Sequence, residues 1–172
     1  MQKTVAVFAV AAMAGGAFAQ SVNVNISGVT SERSQGDPAN IVLLVNLGVP
    51  NAEVTGIDWN FSFLPIGSSW TAEAHMTYGD SGGSNAYDWD LGNWGGANNS
   101  LPVSLNGTDT TSFLVGGDGL LRIEFWEDFV NNNPIPDGIY DRGMLTIRYI
   151  PAPSSLALLG LGGLLAMGRR RR

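Results

Sequence analysis

The chain is expected to be all-β, an antiparallel β-sandwich of jelly-roll or immunoglobulin-like type. Three observations carry that expectation. Short stretches alternate apolar and polar side chains with the period of two that a half-buried strand requires. Gly, Asn and Pro punctuate the chain between them, as turns do. No stretch of the middle repeats apolar residues at the i, i+3, i+4, i+7 spacing of an amphipathic helix. Together these predict about eight short strands in two packed sheets.

The elements follow in order. From residue 21, Val22, Val24 and Ile26 alternate with Asn23, Asn25 and Ser27. Residues 41–47 (IVLLVNL) are mostly apolar and rich in β-branched side chains, which predicts a central strand. Residues 54–64 set Ile57, Trp59, Phe61 and Phe63 against Asp58, Asn60 and Ser62, and Pro65 ends them. Residues 70–78 repeat the pattern, with Trp70, Met76 and Tyr78 on the apolar side and His75 on the polar, solvated side. Residues 79–100 read as a long Gly- and Asn-rich loop. Residues 101–105 resume as strand, Asn106-Gly107 reads as a tight turn, and residues 110–115 and 120–129 read as the two arms of a hairpin. Residues 131–138 are loop, and residues 143–150 form the last strand.

The ends belong to targeting rather than to the fold. Residues 1–19 carry Lys3, an apolar stretch and Ala17-Phe18-Ala19, the layout of a secretory signal peptide cut after Ala19. Residues 20–150 then form the β-domain. Residues 151–172 run from Pro151-Ala152-Pro153 through an apolar stretch to Arg169, Arg170, Arg171 and Arg172. As a hydrophobic helix, residues 151–168 reach about 27 Å, just short of the ~30 Å hydrocarbon core. The arginines hold the cytoplasmic side, which leaves the domain outside.

This tail resembles the PEP-CTERM family of bacterial sorting signals. The resemblance covers residues 151–172; Pro151 and Pro153 match the two prolines of the motif, and Ala152 stands where the family has Glu. It implies an exosortase-like processing enzyme, transient membrane anchoring through the tail, and delivery to the cell surface, extracellular matrix or biofilm. It implies nothing specific about residues 20–150.

Composition limits what the domain can do. With both ends removed, four arginines remain against all 15 acidic residues, a net charge of −11 without a lysine. Such a field repels phosphate backbones, so nucleic acid is not a partner. There is no cysteine, which excludes thiol catalysis and disulfides. Stability must then come from an apolar core or bound ions.

Three local patterns bear on binding or chemistry. Trp89, Trp94 and Trp126 are candidates for stacking on sugar rings, the mark of a carbohydrate-binding module for extracellular polysaccharide. Asp80, Asp88 and Asp90 offer oxygen ligands that a calcium ion accepts, without the EF-hand spacing. Glu124, Glu127 and Asp128 are the densest acidic group, the residue types a polysaccharide-active enzyme would use. The single histidine, with no nucleophile motif beside it, speaks against a Ser-His-Asp site. The leading expectation is a non-enzymatic structural or adhesive protein that needs no cofactor.

Overall fold

The computed structural model describes residues 3–8, 18–84, 86–91, 100–130 and 136–152. Its strands are β1 (Lys3–Phe8), β2 (Gln20–Asn25), β3 (Val29–Ser31), β4 (Ile41–Asn46), β5 (Glu53–Pro65), β6 (Ala74–Asp80), β7 (Ala86–Asp90), β8 (Val103–Asp109), β9 (Phe113–Leu114), β10 (Leu120–Glu127) and β11 (Gly138–Ile150). One sheet has the order β1-β4-β10-β6-β7; the other has β2-β11-β5-β8, with β3 beside β11 and β9 beside β5. Among the described residues every pairing is antiparallel except that of β1 with β4. The molecule is the expected antiparallel β-sandwich.

Alternation builds the core. On β5, Ile57, Trp59, Phe61 and Phe63 are buried, and on β10 so are Leu121, Ile123 and Phe125. Side chains of this size contribute ~1.5–3 kcal/mol each when fully removed from water. Tyr140 of β11 ties the sheets together: its ring lies 5.2 Å from Phe61, 5.0 Å from Phe63 and 5.0 Å from Phe125, all near edge-to-face. Such contacts add ~0.5–1.5 kcal/mol beyond area burial.

Several local expectations are corrected. Trp70 is 46% exposed, because residues Thr71–Glu73 form a single 3-10 turn that breaks the alternation before β6 begins. Asn106-Gly107 is not a turn. β8 runs straight through it, pairing Asn106 with Asn60 and Gly107 with Trp59. A β-carbon on Gly107 would collide with the Trp59 ring, so the glycine makes room for the indole where the pair sits. Residues 110–115 and 120–129 are not a hairpin, since β9 pairs with β5 in one sheet and β10 lies in the other. The long loop of residues 79–100 contains β7, whose Tyr87 and Trp89 alternate with Asp88 and Asp90.

The expected signal peptide contains β1, and the expected sorting helix falls outside the described residues beyond Ala152. Among the described residues no helix is long and apolar enough to cross a membrane.

Candidate functional site

The outer face of the first sheet gathers several of the residues singled out above. Strand parity points Glu124 and Trp126 of β10, His75 and Thr77 of β6, and Asp88 and Asp90 of β7 to this side. Register sets them in two rows, Glu124–Thr77–Asp88 and Trp126–His75–Asp90. The His75 ring stacks on Trp126 at 4.1 Å and 22°, and its Nδ1 lies 3.0 Å from Asp88 Oδ2, so Nδ1 carries the proton of that contact. Trp126 Nε1 donates to Thr77 Oγ1 at 2.7 Å, and Gln35 Nε2 donates to the same oxygen at 3.1 Å.

Glu124 holds the loop of residues 32–40 onto this face. The Gly36 N–H donates to Oε1 at 2.7 Å, Asn40 Nδ2 to Oε1 at 2.8 Å, and Arg122 Nη2 to Oε2 at 2.7 Å. A carboxylate only 2% exposed needs such compensation, and three donors supply it. Its lone pairs are engaged in structure.

Beside the rows, where the edge strands β7 and β8 face each other, lies an open cavity of about 420 Å³. Trp59 and Trp89 lie deep in it, and His75, Asp88, Asp90, Thr108 and Asp109 complete the lining. Asp109 accepts hydrogen bonds from the Tyr78 hydroxyl, from Trp89 Nε1 at 2.9 Å and from Thr111. Burial pushes the Asp109 carboxyl up, but these donors outweigh it and hold the group below the usual carboxylate range. Burial, reinforced by the same pairing with Asp109, pushes the Tyr78 hydroxyl well up. The cavity is thus acidic at neutral pH.

The predicted residues are distributed unevenly over this structure. Trp89 is not a sugar platform: it is 3% exposed, on the inner side of β7, with its ring 5.0 Å from Trp59 and 4.4 Å from Tyr78. Trp126 is half-buried, and His75 covers one of its faces. Trp94 lies outside the described residues, as do Pro153 and Arg169, Arg170, Arg171 and Arg172. Pro151 and Ala152 follow directly on β11 and are half-buried. Asp88 and Asp90 share the outer face, whereas Asp80 points to the other side of β6, where its Oδ1 accepts the Ser84 N–H at 2.8 Å. Parity therefore separates the three proposed calcium ligands. Among the described residues no group of three or more His, Asp or Glu side chains is placed to hold a metal.

His75 was expected in solvent, yet it is 8% exposed because Trp126 and Asp88 enclose it. The acidic group is split as well: Glu124 faces outward and Glu127 inward, so the two share no cleft. Glu127 is completely buried, and neither carboxylate oxygen has a hydrogen-bond partner among the described residues. Desolvation, with Asp137 and Glu73 nearby, pushes its carboxyl up to about 8, and the Ser31 hydroxyl close by donates instead to the Trp126 carbonyl at 2.9 Å.

No family model matches the chain, and neither does any curated protein. Among solved structures it is similar to the nora virus structure, at 12% identity and a TM-score of 0.32, over 80% of this chain and 56% of that one. It is also similar to the structure of tomato aspermy virus, at 9% identity and a TM-score of 0.32, over 85% of this chain and 83% of that one. Likenesses at this level carry no argument about function.

Proposed function

We propose that this protein is exported and, after processing of its PEP-CTERM-like tail by an exosortase-like enzyme, is held at the cell surface or in the extracellular matrix. There the β-sandwich serves as a structural or adhesive unit without catalysis. The membrane holds the tail only until processing, with the four terminal arginines as the retaining charge.

One observation supports this best. Apart from β1, the strands of the sandwich run from Gln20 to Ile150, and these ends are side by side: Gln20 pairs with Tyr149, and the Tyr149 hydroxyl donates to Gln20 Oε1 at 2.9 Å. Both segments read as removable therefore leave the domain at the same end of one strand pair. Cutting them takes away neither β2 nor β11, whose Val22, Val24, Ile147 and Tyr149 stay in the core. A non-catalytic role accords with Glu124, whose oxygens are occupied by loop donors.

Intact-mass spectrometry of the protein recovered from surface material tests the reading. A species beginning at Gln20 and lacking residues 169–172 is expected. Material that retains Arg172 would overturn the sorting step.

A further inference from the structure

We infer that the outer face of the second sheet binds a neutral, hydroxyl-rich polymer along the row Asn25–Met144–Asn60–Asn106. This deepens the adhesive reading above and rests on it, naming the surface and the ligand class.

The row crosses all four long strands of the sheet in register: Asn25 of β2 pairs with Met144 of β11, Met144 with Asn60 of β5, and Asn60 with Asn106 of β8. At the spacing of ~4.8 Å between strands it is roughly 14 Å long, which suits an oligomer better than a single ring. Asparagine is among the residues least favoured in strands, and this row has three on one face. Asn60 and Asn106 are both exposed, and neither side chain bonds to another described residue.

The neighbouring row behaves differently. There Thr146 Oγ1 donates to Asn23 at 2.8 Å, Thr108 Oγ1 donates to Asp58 at 2.6 Å, and Arg148 Nη2 lies 3.4 Å from Asp58. Asn23, Thr146, Asp58 and Thr108 are thus engaged with one another in pairs. In the asparagine row the Asn25 Oδ1 accepts the Ser27 N–H at 2.9 Å, while Asn60 and Asn106 keep their amide donors and acceptors open among the described residues, beside a closed row.

The surface is also concave there. β11 is irregular between Tyr140 and Arg142, and against this bulge lies an open cavity of about 440 Å³ that Asn25, Asn60, Ser62, Ser104 and Met144 help to line. Met144 is 40% exposed at the centre of the row, an apolar, adaptable surface between amides. Amides for hydroxyls and a thioether for the C–H face of a ring match the alternating polarity of a polysaccharide.

Charge selects the neutral kind. The row carries no charge, and the Arg142 at the rim of the cavity is paired with Asp141 at 3.8 Å. The net charge of −11 on residues 20–150 disfavours an anionic polymer.

Affinity electrophoresis of the mature, secreted protein decides it, in native gels cast with dextran, galactomannan or hydroxyethyl cellulose, and with alginate as the anionic comparison. At least one neutral polymer should retard the protein, and Asn60→Ala/Asn106→Ala should weaken that retardation about tenfold, as the loss of two hydrogen bonds implies. Both positions are exposed, so an unchanged unfolding midpoint shows that the variant keeps its fold. Migration unaffected by all three neutral polymers would overturn the inference, as would retardation that survives the double substitution or is equally strong in alginate. Protein that is uncut yet retarded sinks the display reading alone; protein correctly cut yet never retarded sinks this one.

Discussion

At the scale of single residues, Glu127 is the costliest group in the core. Its carboxyl is buried beside Asp137 and Glu73, and the nearby Tyr140 hydroxyl is also without a hydrogen-bond partner among the described residues. Burial and Glu127 together push that hydroxyl well up. In the unfolded chain Glu127 ionises near 4.5, and in the folded protein near 8. Between these values the native state holds a proton that the unfolded state releases, so stability falls as pH rises through this window and then levels off. The slope is ~1.4 kcal/mol per pH unit, and the full loss is roughly 5 kcal/mol. Asp109 and Asp118 act in the opposite sense: their lowered values stabilise at neutral pH, and that contribution disappears only as acid protonates them. The windows hardly overlap. Glu127→Gln is therefore expected to raise stability at pH 8 by several kcal/mol and to leave it nearly unchanged at pH 4.5. Urea unfolding at the two values measures this, and a variant less stable than the parent at pH 8 would show that the carboxylate is compensated.

At the scale of elements, strand identity was legible wherever burial alternates, and partnership was not. The alternation of β2, β5 and β10 is plain in the sequence, and so is their inward set. The same parity, carried one step past Phe125, would have placed Glu127 inside and separated it from Glu124. In β7 the alternation of Tyr87 and Trp89 with Asp88 and Asp90 is equally regular, but it is short and sits among glycines and asparagines, which masked it. Asn106-Gly107 misled for a physical reason: the glycine serves a neighbouring indole across the sheet, and that need is invisible to local turn chemistry. The polar row Asn25, Asn60 and Asn106 was hidden because its members belong to strands far apart in the chain.

The apolar run of β4 predicted a central strand, and β4 is central only while β1 lies beside it. A cut after Ala19 would turn Ile41–Asn46 into an edge with no charge, proline or bulge, unlike β7, which carries Asp88 and Asp90. An unprotected edge of this kind takes another strand. Two copies related by a twofold axis keep their inner faces on one side only if residues of like parity pair, which permits Leu43 opposite Leu43, with Ile41 opposite Val45. The mature protein is accordingly expected to dimerise in light scattering, and Leu44→Lys, at a half-buried outer position, to return it to monomer with its fold intact. A mature protein that stays monomeric at high concentration would show that the edge is protected by other means.

At the scale of the whole molecule, the sandwich is held together against its own charge. Four arginines face 15 carboxylates in residues 20–150, and among them Arg122 is committed to Glu124, Arg148 to Asp58 and Arg142 to Asp141. The remaining acids repel one another across an acidic surface, and that repulsion is screened by salt. Raising ionic strength from 0.01 M to 0.15 M shortens the Debye length from ~30 Å to ~8 Å. The unfolding midpoint should then rise by a few degrees, equivalent to ~1 kcal/mol for a domain of this size. Salt and pH separate the two destabilising contributions. The penalty on Glu127 is mainly desolvation, which counter-ions in water barely reach, so Glu127→Gln should abolish the loss of stability between pH 5 and 8 while leaving the salt effect whole. A midpoint that falls with salt would mean that the ion pairs outweigh the repulsion. The surface would then be a balanced one, and the electrostatic argument against anionic polymers would fall with it.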